Sequence, residues 1–442
     1  MSQEKDILLV GSFGIGYSKN NAKENKDSDF NGAIAYLLTY LTKCGHIVDY
    51  VNCIEDEYEM VMDKLSKNKY SLIGISTSFC INIEQVRALV MKIKKLTDVK
   101  IVLGGIFTAK LITLINNENS QLLQNMLKRI NADYIIYSFQ GEKTLSKLIS
   151  SIINNVPCDK TPNLYYKSNN NIYQYTITEA EENNLEDNWV NWNLIDDESK
   201  KGKILPIRTS RSCLFNCSFC TYKNYAGEYR CVSVETIENE LNSIGRNGVN
   251  DYIRFTDDTF NIPTERFKNI LKMMIKNEYN FIWTSFIRCQ FINDEIAALM
   301  KKSGCYSTSL GIESGNQDML DLMNKQVKIE DLKRGIDVLK RNGIKTKGLF
   351  FIGFPGETRQ TVQDTIHFIN ESGLDMYSIL QWTNEQFAPI YEKREIYKLE
   401  GIGNIWSHAT MNSDEANYLV DEVIKSTIIP GSNYLRSKII FH

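Results

Sequence analysis

The chain has 442 residues, 43% of them hydrophobic, and a formal net charge of −3. That length exceeds one ordinary domain and supplies material for two or three cores. The balanced charge gives no bulk electrostatic case for nucleic acid or an anionic membrane surface, and no apolar run reaches the length of a membrane span.

The first six residues, Met1 to Asp6, are charged and run straight into an apolar stretch, which does not read as a secretory signal. Ten cysteines without such a signal fit reduced thiols in a cytoplasmic protein better than a disulfide framework. Up to residue 155 the chain alternates strand-like and helix-like segments. Strands are expected at 7–10, 47–51, 71–76, 100–103 and 134–137, with helices at 30–44, 83–96 and 143–153. This spacing predicts a doubly wound, Rossmann-like α/β unit with a parallel sheet covered on both faces. Ligands in such sheets bind outside the carboxyl ends of the strands. Small and polar residues cluster there: Gly11, Ser76, Thr77, Ser78, Gly104, Gly105, Gly141 and Glu142. The glycines at 11, 14 and 16 do not follow the dinucleotide fingerprint, and a polar stretch follows them where a helix should begin.

Residues 156–203 are polar and Asn-rich and read as a linker carrying a small hairpin over 163–175. From 204 to 385 the βα alternation resumes, with strands expected at 204–209, 251–257, 280–287, 305–312, 346–353 and 376–382. Six βα units with short loops predict a partial (β/α)6 barrel of the TIM type, whose chemistry sits at the C-terminal mouth of the strands. Residues 386–442 form a C-terminal extension in which Tyr391, Trp406 and His408 are candidates for a substrate wall.

The first barrel strand leads into Cys213, Cys217 and Cys220, with Phe219 directly before the last thiol. Three thiolates so spaced suit a [4Fe–4S] cluster whose fourth iron is left open. The alternative is a zinc site completed by Cys231. The other cysteines read as plain buried thiols, with Cys289 near a strand end the one to watch.

This cysteine pattern resembles the radical S-adenosylmethionine (SAM) superfamily. The acidic pair Asp257-Asp258, the run Gly311-Ile312-Glu313-Ser314-Gly315 and the run Gly353-Phe354-Pro355-Gly356-Glu357 recur in the family's order. The N-terminal unit resembles the cobalamin-binding domain of the class that carries vitamin B12, on Ser76-Thr77-Ser78, Gly104-Gly105 and Gly141-Glu142. The cobalt-ligating Asp-x-His-x-x-Gly motif is absent, and His46, the first domain's lone histidine, sits in a helix-to-strand turn. The resemblance therefore implies cobalamin held without a protein histidine.

The resemblance further implies that Cys213, Cys217 and Cys220 hold the cluster and that SAM is bound by Phe219, Asp257, Asp258, Ser285, Arg288, Glu313, Ser314, Gly353, Phe354 and Pro355. Cleavage of SAM to a 5′-deoxyadenosyl radical, followed by methyl transfer from cobalamin to an unactivated carbon or to phosphorus, is the implied activity. The substrate would be a small molecule or a peptide, and a flavodoxin or ferredoxin would supply electrons. A non-methylating radical reaction (epimerisation, ring contraction or cyclisation) and a zinc-stabilised binding protein are the alternatives. A methylthiotransferase is disfavoured, because that family's additional cysteine triad is missing from the N-terminal unit.

Overall fold

The computed structural model describes residues 3–13, 28–116, 120–181, 183–245 and 252–432. Gly14, Gly16 and most of the polar stretch after them lie outside the described residues. The chain divides into two compact units, the first comprising Met1–Pro206 with Glu240–Val249, the second Ile207–Asn239 with Asn250–His442.

The first unit is built on strands β1 (Gln3–Val10), β3 (Val48–Val51), β4 (Asn68–Ser76), β5 (Ile101–Gly104), β6 (Tyr134–Ile136), β7 (Leu164–Lys167) and β8 (Tyr173–Tyr175), in the order β3-β1-β4-β5-β6-β7-β8. Pairing is parallel from β3 through β6. A two-residue β2 (Ser28–Asp29) pairs with the start of β9 (Lys203–Ile207). Helices on both faces bury the strands on both sides, so Ile7, Leu8, Leu9 and Val10 are all buried in one unbroken run. The first helix, α1 (Gly32–Lys43), starts where the Asn31 side chain accepts from the Ala33 and Ile34 amides, and it buries Ile34, Ala35, Leu38 and Leu41.

Within the first 155 residues, three described helices lie outside the expected elements: α2 (Tyr58–Lys67), α4 (Ile106–Asn116) and α5 (Ser120–Ile130). In α2 only Val61 is fully buried, so its apolar stripe is thin. The α3 helix (Ile83–Lys94) and α6 (Glu142–Ile153) lie where the periodicity puts them.

The hairpin expected within 156–203 is present, and it belongs to the first sheet. Strands β7 and β8 form an antiparallel hairpin that extends the sheet beyond β6, pairing Tyr134 with Tyr166 and Ile136 with Leu164. Leu164, Tyr165 and Tyr173 are buried there, and further on Trp192 is fully buried, edge-on to Phe30.

The second unit carries strands β12 (Tyr252–Phe255), β13 (Ile282–Ile287), β14 (Cys305–Glu313), β15 (Lys345–Ile352) and β16 (Met376–Gln381), all parallel and in sequence order. Helices α10 (Thr264–Lys276), α11 (Asp294–Lys302), α13 (Ile329–Arg341) and α14 (Arg359–Glu371) connect them, as the expected βα repeat of a partial barrel requires. A shorter helix, α12 (Gln317–Leu322), follows β14.

The C-terminal extension is woven into this unit. A three-stranded antiparallel sheet, β17 (Glu400–Ile402), β18 (Ile405–His408) and β19 (Met411–Asn412), precedes helix α16 (Ser413–Ser426). The short β20 (Gly431–Ser432) then adds in parallel to β16. Among the described residues no helix is long and apolar enough to cross a membrane.

Candidate functional site

Every chemistry-bearing run of the second unit follows the carboxyl end of a strand, as parallel β/α folds arrange their sites. The loop from Cys213 to Cys220 is held at many points. The Ser218 amide donates to Met323 O (2.9 Å) and its hydroxyl to Leu322 O (2.8 Å), while Asn324 Nδ2 donates to Asn216 O (2.8 Å). From the other side the Ile390 amide donates to Ser218 O (2.8 Å). A turn closed by the Cys220 amide on Cys217 O (3.1 Å) brings the last two thiols round.

Cys217 is buried. Its sulfur accepts from Arg288 Nη2 at 3.2 Å, and Cys213 Sγ lies 3.5 Å from the Thr259 hydroxyl. Cys220 has an open face but is crowded by protein on its other side, which raises its thiol pKa; the Cys217 and Cys213 thiols raise it further against the Tyr222 amide. Three thiols that repel one another as thiolates are suited to a shared cationic centre. Among the described residues no group of three or more His, Cys, Asp or Glu side chains converges on a single metal ion. A cluster does not ask for that, since its ligands sit on three different irons, and Cys231, the possible zinc partner, is exposed on β11 (Arg230–Cys231). A cavity of about 510 Å³ opens beside Cys213, lined also by Leu214, Lys223, Gly227, Glu228 and Tyr229.

Around this loop the ten residues expected at SAM separate into two groups. Phe219, Arg288 and Glu313 meet at Lys325, Asp258 bears on Cys220, and the Gly353 turn reaches Phe219 through Phe351. Phe219 packs edge-on to Phe351, with centroids 5.0 Å apart. Asp258, open on one side and crowded on the other, is pushed up to about 6 by lost hydration, with Asp257 adding and the Tyr222 hydroxyl opposing. Glu313 closes β14 with a left-handed φ of 72° beyond a register shift, and its Oε1 is 2.6 Å from Lys325 Nζ.

Asp257 and Ser314 are committed elsewhere, and Ser285 is buried. Asp257 is buried and accepts from the Thr209 amide (3.1 Å), the Thr209 hydroxyl (2.9 Å) and the Ser210 hydroxyl, so its carboxylate ties the strand end to the cysteine loop rather than facing a ligand. Burial raises its pKa, against those three donors and Arg266. Ser285 lies on the same strand face as the buried Trp283 and Ile287, whereas Phe286, 40% exposed, takes the opposite face. Ser314 is fully buried, its hydroxyl 3.3 Å from that of Thr365 in α14.

The Gly353 turn is gripped on both sides. Its φ is 101°, and a Cβ there would collide with the Trp406 ring. The Gly353 amide donates to Glu357 Oε2 at 2.5 Å, and Gly353 O accepts from His408 Nε2 at 3.1 Å. Phe354 is fully buried, edge-on to Trp382, and Pro355 is buried beside it. Trp406 and His408 stack in parallel, 5.1 Å apart, and Trp406 Nε1 donates to Trp382 O (2.8 Å). Burial lowers the His408 pKa, so the neutral ring donates to Gly353 and accepts from Thr410. Both rings are therefore packing elements behind the turn and not a substrate wall. Tyr391 stands beside Arg394, whose guanidinium is 5.3 Å from its ring centre.

Cys289 is buried, its thiol pushed up to about 12 by burial and directed at Leu332 O. Cys44, expected to be buried, is exposed. Lys325 was missed by the sequence reading. Only its position between two left-handed residues, Asn324 (φ 50°) and Gln326 (φ 57°), marks it as special, and that is not visible in a sequence.

In the first unit the flagged residues fall at neighbouring strand ends. Thr77 donates from its amide (2.7 Å) and its hydroxyl (2.9 Å) to Gly104 O, and Gly105 passes against Ser78. Beside them Ile81 and Ile106 are 76% and 48% exposed, an apolar lip at the ends of β4 and β5. Ser76 is buried, its hydroxyl 3.4 Å from that of Ser78. Gly11 and Glu142 have structural employment. The Asn52 carbonyl occupies the space a Cβ on Gly11 would need. Glu142 accepts from Asn183, and Glu181 caps the start of α6 through the Lys143 and Thr144 amides, closing the turn that begins at Gly141. His46 binds Ser146 (2.8 Å) at the opposite, amino edge of the sheet.

Residues 207–369 match the Radical SAM superfamily model. An uncharacterised methyltransferase of Pyrococcus horikoshii is 28% identical over 240 residues, 53% of this chain and 52% of its own. The anaerobic magnesium-protoporphyrin IX monomethyl ester cyclase of Rubrivivax gelatinosus is 26% identical over 233 residues, 51% of this chain and 41% of its own. The chain thus spans about half the length, or less, of these curated relatives. Among solved structures, the radical SAM methyltransferase TsrM of Kitasatospora setae, with cobalamin and a [4Fe–4S] cluster bound, superposes with a TM-score of 0.67 at 17% identity, covering 88% of this chain and 74% of that one. Residues 207–369 are thus similar to the Radical SAM superfamily, and the chain shares its fold with TsrM.

Proposed function

We propose that this protein is a cobalamin-dependent radical SAM methyltransferase acting on an unactivated carbon of a small molecule or peptide. The observation that carries the reading is the clamped cysteine loop, with Arg288 on Cys217 and the Glu313–Lys325 pair at the same strand ends. When bound, the cluster supplies the electron that cleaves SAM to a 5′-deoxyadenosyl radical, and cobalamin supplies the methyl group. Cys213, Cys217 and Cys220 would hold three irons. Glu313, with its carboxylate fixed by Lys325, would accept from the ribose hydroxyls, and Asp258 would accept from the amino group of SAM. The Gly353 turn, packed against Trp406 and Trp382, would support the adenine site from behind. In the first unit, Thr77, Ser78, Gly105 and the exposed Ile81 and Ile106 suit a large, flat corrin. A flavodoxin- or ferredoxin-class donor would provide the electron. The burial of Cys289 weighs against an epimerase that quenches its radical with that thiol.

Anaerobic reconstitution with iron and sulfide, followed by product mass analysis, tests the reading. A gain of one methyl group with 5′-deoxyadenosine and S-adenosylhomocysteine supports it; stoichiometric zinc without an iron–sulfur spectrum overturns it. Cys217→Ala should abolish 5′-deoxyadenosine formation while leaving the far-ultraviolet circular dichroism unchanged.

A further inference from the structure

Arg288 stands at the end of β13, where a SAM carboxylate was its expected partner. Its side chain is occupied differently. One terminal nitrogen, Nη1, donates to Lys325 O at 2.7 Å, and the other, Nη2, donates to Cys217 Sγ at 3.2 Å. The guanidinium carbon lies 3.4 Å from the centre of the Phe215 ring, so one face is covered by an aromatic residue of the cysteine loop itself. The backbone of Arg288 is pinned at both ends by Asn261: its amide donates to Oδ1 (3.0 Å) and its carbonyl accepts from Nδ2 (2.8 Å). The residue is only 6% exposed. A guanidinium locked by two directed bonds, one stacked ring and a buried setting has little freedom to swing to a ligand carboxylate. It is built to serve a sulfur.

We propose that Arg288 is a positioning residue for the cluster, acting through Cys217 to orient that thiolate and to favour the reduced form of the centre it ligates. The inference rests on the cluster reading above. On reduction the cluster takes one electron, here from dithionite, and gains one negative charge. A fixed cation hydrogen-bonded to a ligand sulfur lowers the energy of that more negative state, and hydrogen bonds to the sulfurs are among the terms that set such potentials. Lys325 joins the same device through its carbonyl, so its ammonium, on Glu313, and the guanidinium, on Cys217, are linked by one residue.

The test is a redox titration of the reconstituted full-length protein, followed by electron paramagnetic resonance of the reduced cluster, in wild type, Arg288→Lys and Arg288→Met. SAM affinity is measured alongside by equilibrium binding. The expected result is a midpoint potential displaced to more negative values in Arg288→Met, with a smaller displacement in Arg288→Lys, which keeps the charge but loses the fork. SAM affinity should change by less than about threefold, a difference of well under 1 kcal/mol. An unchanged potential with SAM binding weakened tenfold or more would overturn the proposal and return Arg288 to the SAM carboxylate. If Arg288→Met fails to fold, Phe215→Leu, which uncovers the guanidinium without removing it, should still move the potential; no movement would also overturn the proposal. Failure of wild type to take up iron and sulfide would instead defeat the cluster reading itself, so the two failures are distinguishable.

Discussion

Glu357 is a fully buried carboxyl group whose nearest polar company is backbone. Burial pushes its pKa up to about 8, and the Gly353 and Phe354 amides only partly oppose this. The side chain is therefore neutral at pH 7 when folded and ionised when unfolded. The folded state binds the extra proton between the ordinary glutamate range and about 8, so its stabilising contribution is complete below pH 4.5 and is lost as pH rises to about 8. The loss amounts to about 1.4 kcal/mol per pH unit within that window. Glu357→Gln, which keeps the acceptor for Gly353, should flatten this dependence; urea midpoints at pH 5, 6, 7 and 8 measure it. A variant that loses stability as steeply as wild type would refute the assignment. Residue-level chemistry of this kind was only half legible beforehand. Glu357 belongs to a recognisable run, but its setting depends on Trp406, distant in the chain, closing over the Gly353 turn to which Glu357 is bonded.

At the scale of elements, the C-terminal sheet and α16 act as a brace behind the Gly353 turn. Trp406 fills the space over a glycine that cannot carry a side chain, and its indole nitrogen is satisfied by Trp382 O. Trp406→Ala should cost about 3–5 kcal/mol, as expected for a large aromatic removed from a packed core, with part of the loss coming from the exposed Trp382 carbonyl. Chemical denaturation followed by circular dichroism reads that loss; a cost below about 1 kcal/mol would show that β18 is not docked as described. The strands and helices that form the site were legible from periodicity, because parallel strands buried on both faces give short apolar runs and their covering helices give a 3.6-residue stripe. The face taken by a residue near a strand end was not. Ser285 and Phe286 are neighbours, and a one-residue difference in register exchanges the core side for the mouth side.

For the whole molecule, the first unit keeps its one expected histidine away from the strand ends that suit a cofactor. His46 lies at the amino edge of the sheet, bonded to Ser146 and 3.7 Å from Asp6. His46→Ala should therefore leave cobalamin affinity within about twofold of wild type, a change of under 1 kcal/mol, in an optical titration of the full chain. Ser78→Trp, which crowds the lip beside Gly105, should weaken binding at least tenfold. A large loss in the first variant with none in the second would move the corrin site elsewhere.

The sequence by itself determined the chemistry on offer: the three-thiol spacing, the order of acidic and glycine-rich runs, and two successive α/β units. These are local or periodic signals, carried by residues close together in the chain. Only the tertiary structure decided how those residues are employed. It spent Asp257 on Thr209 and Ser210, turned Ser314 towards α14, paired Glu313 with Lys325 and set Arg288 on Cys217. Each of those outcomes joins groups distant in sequence or depends on how a strand end is turned. A donor's use is set by the acceptor that long-range packing brings to it, and local sequence carries no record of that partner.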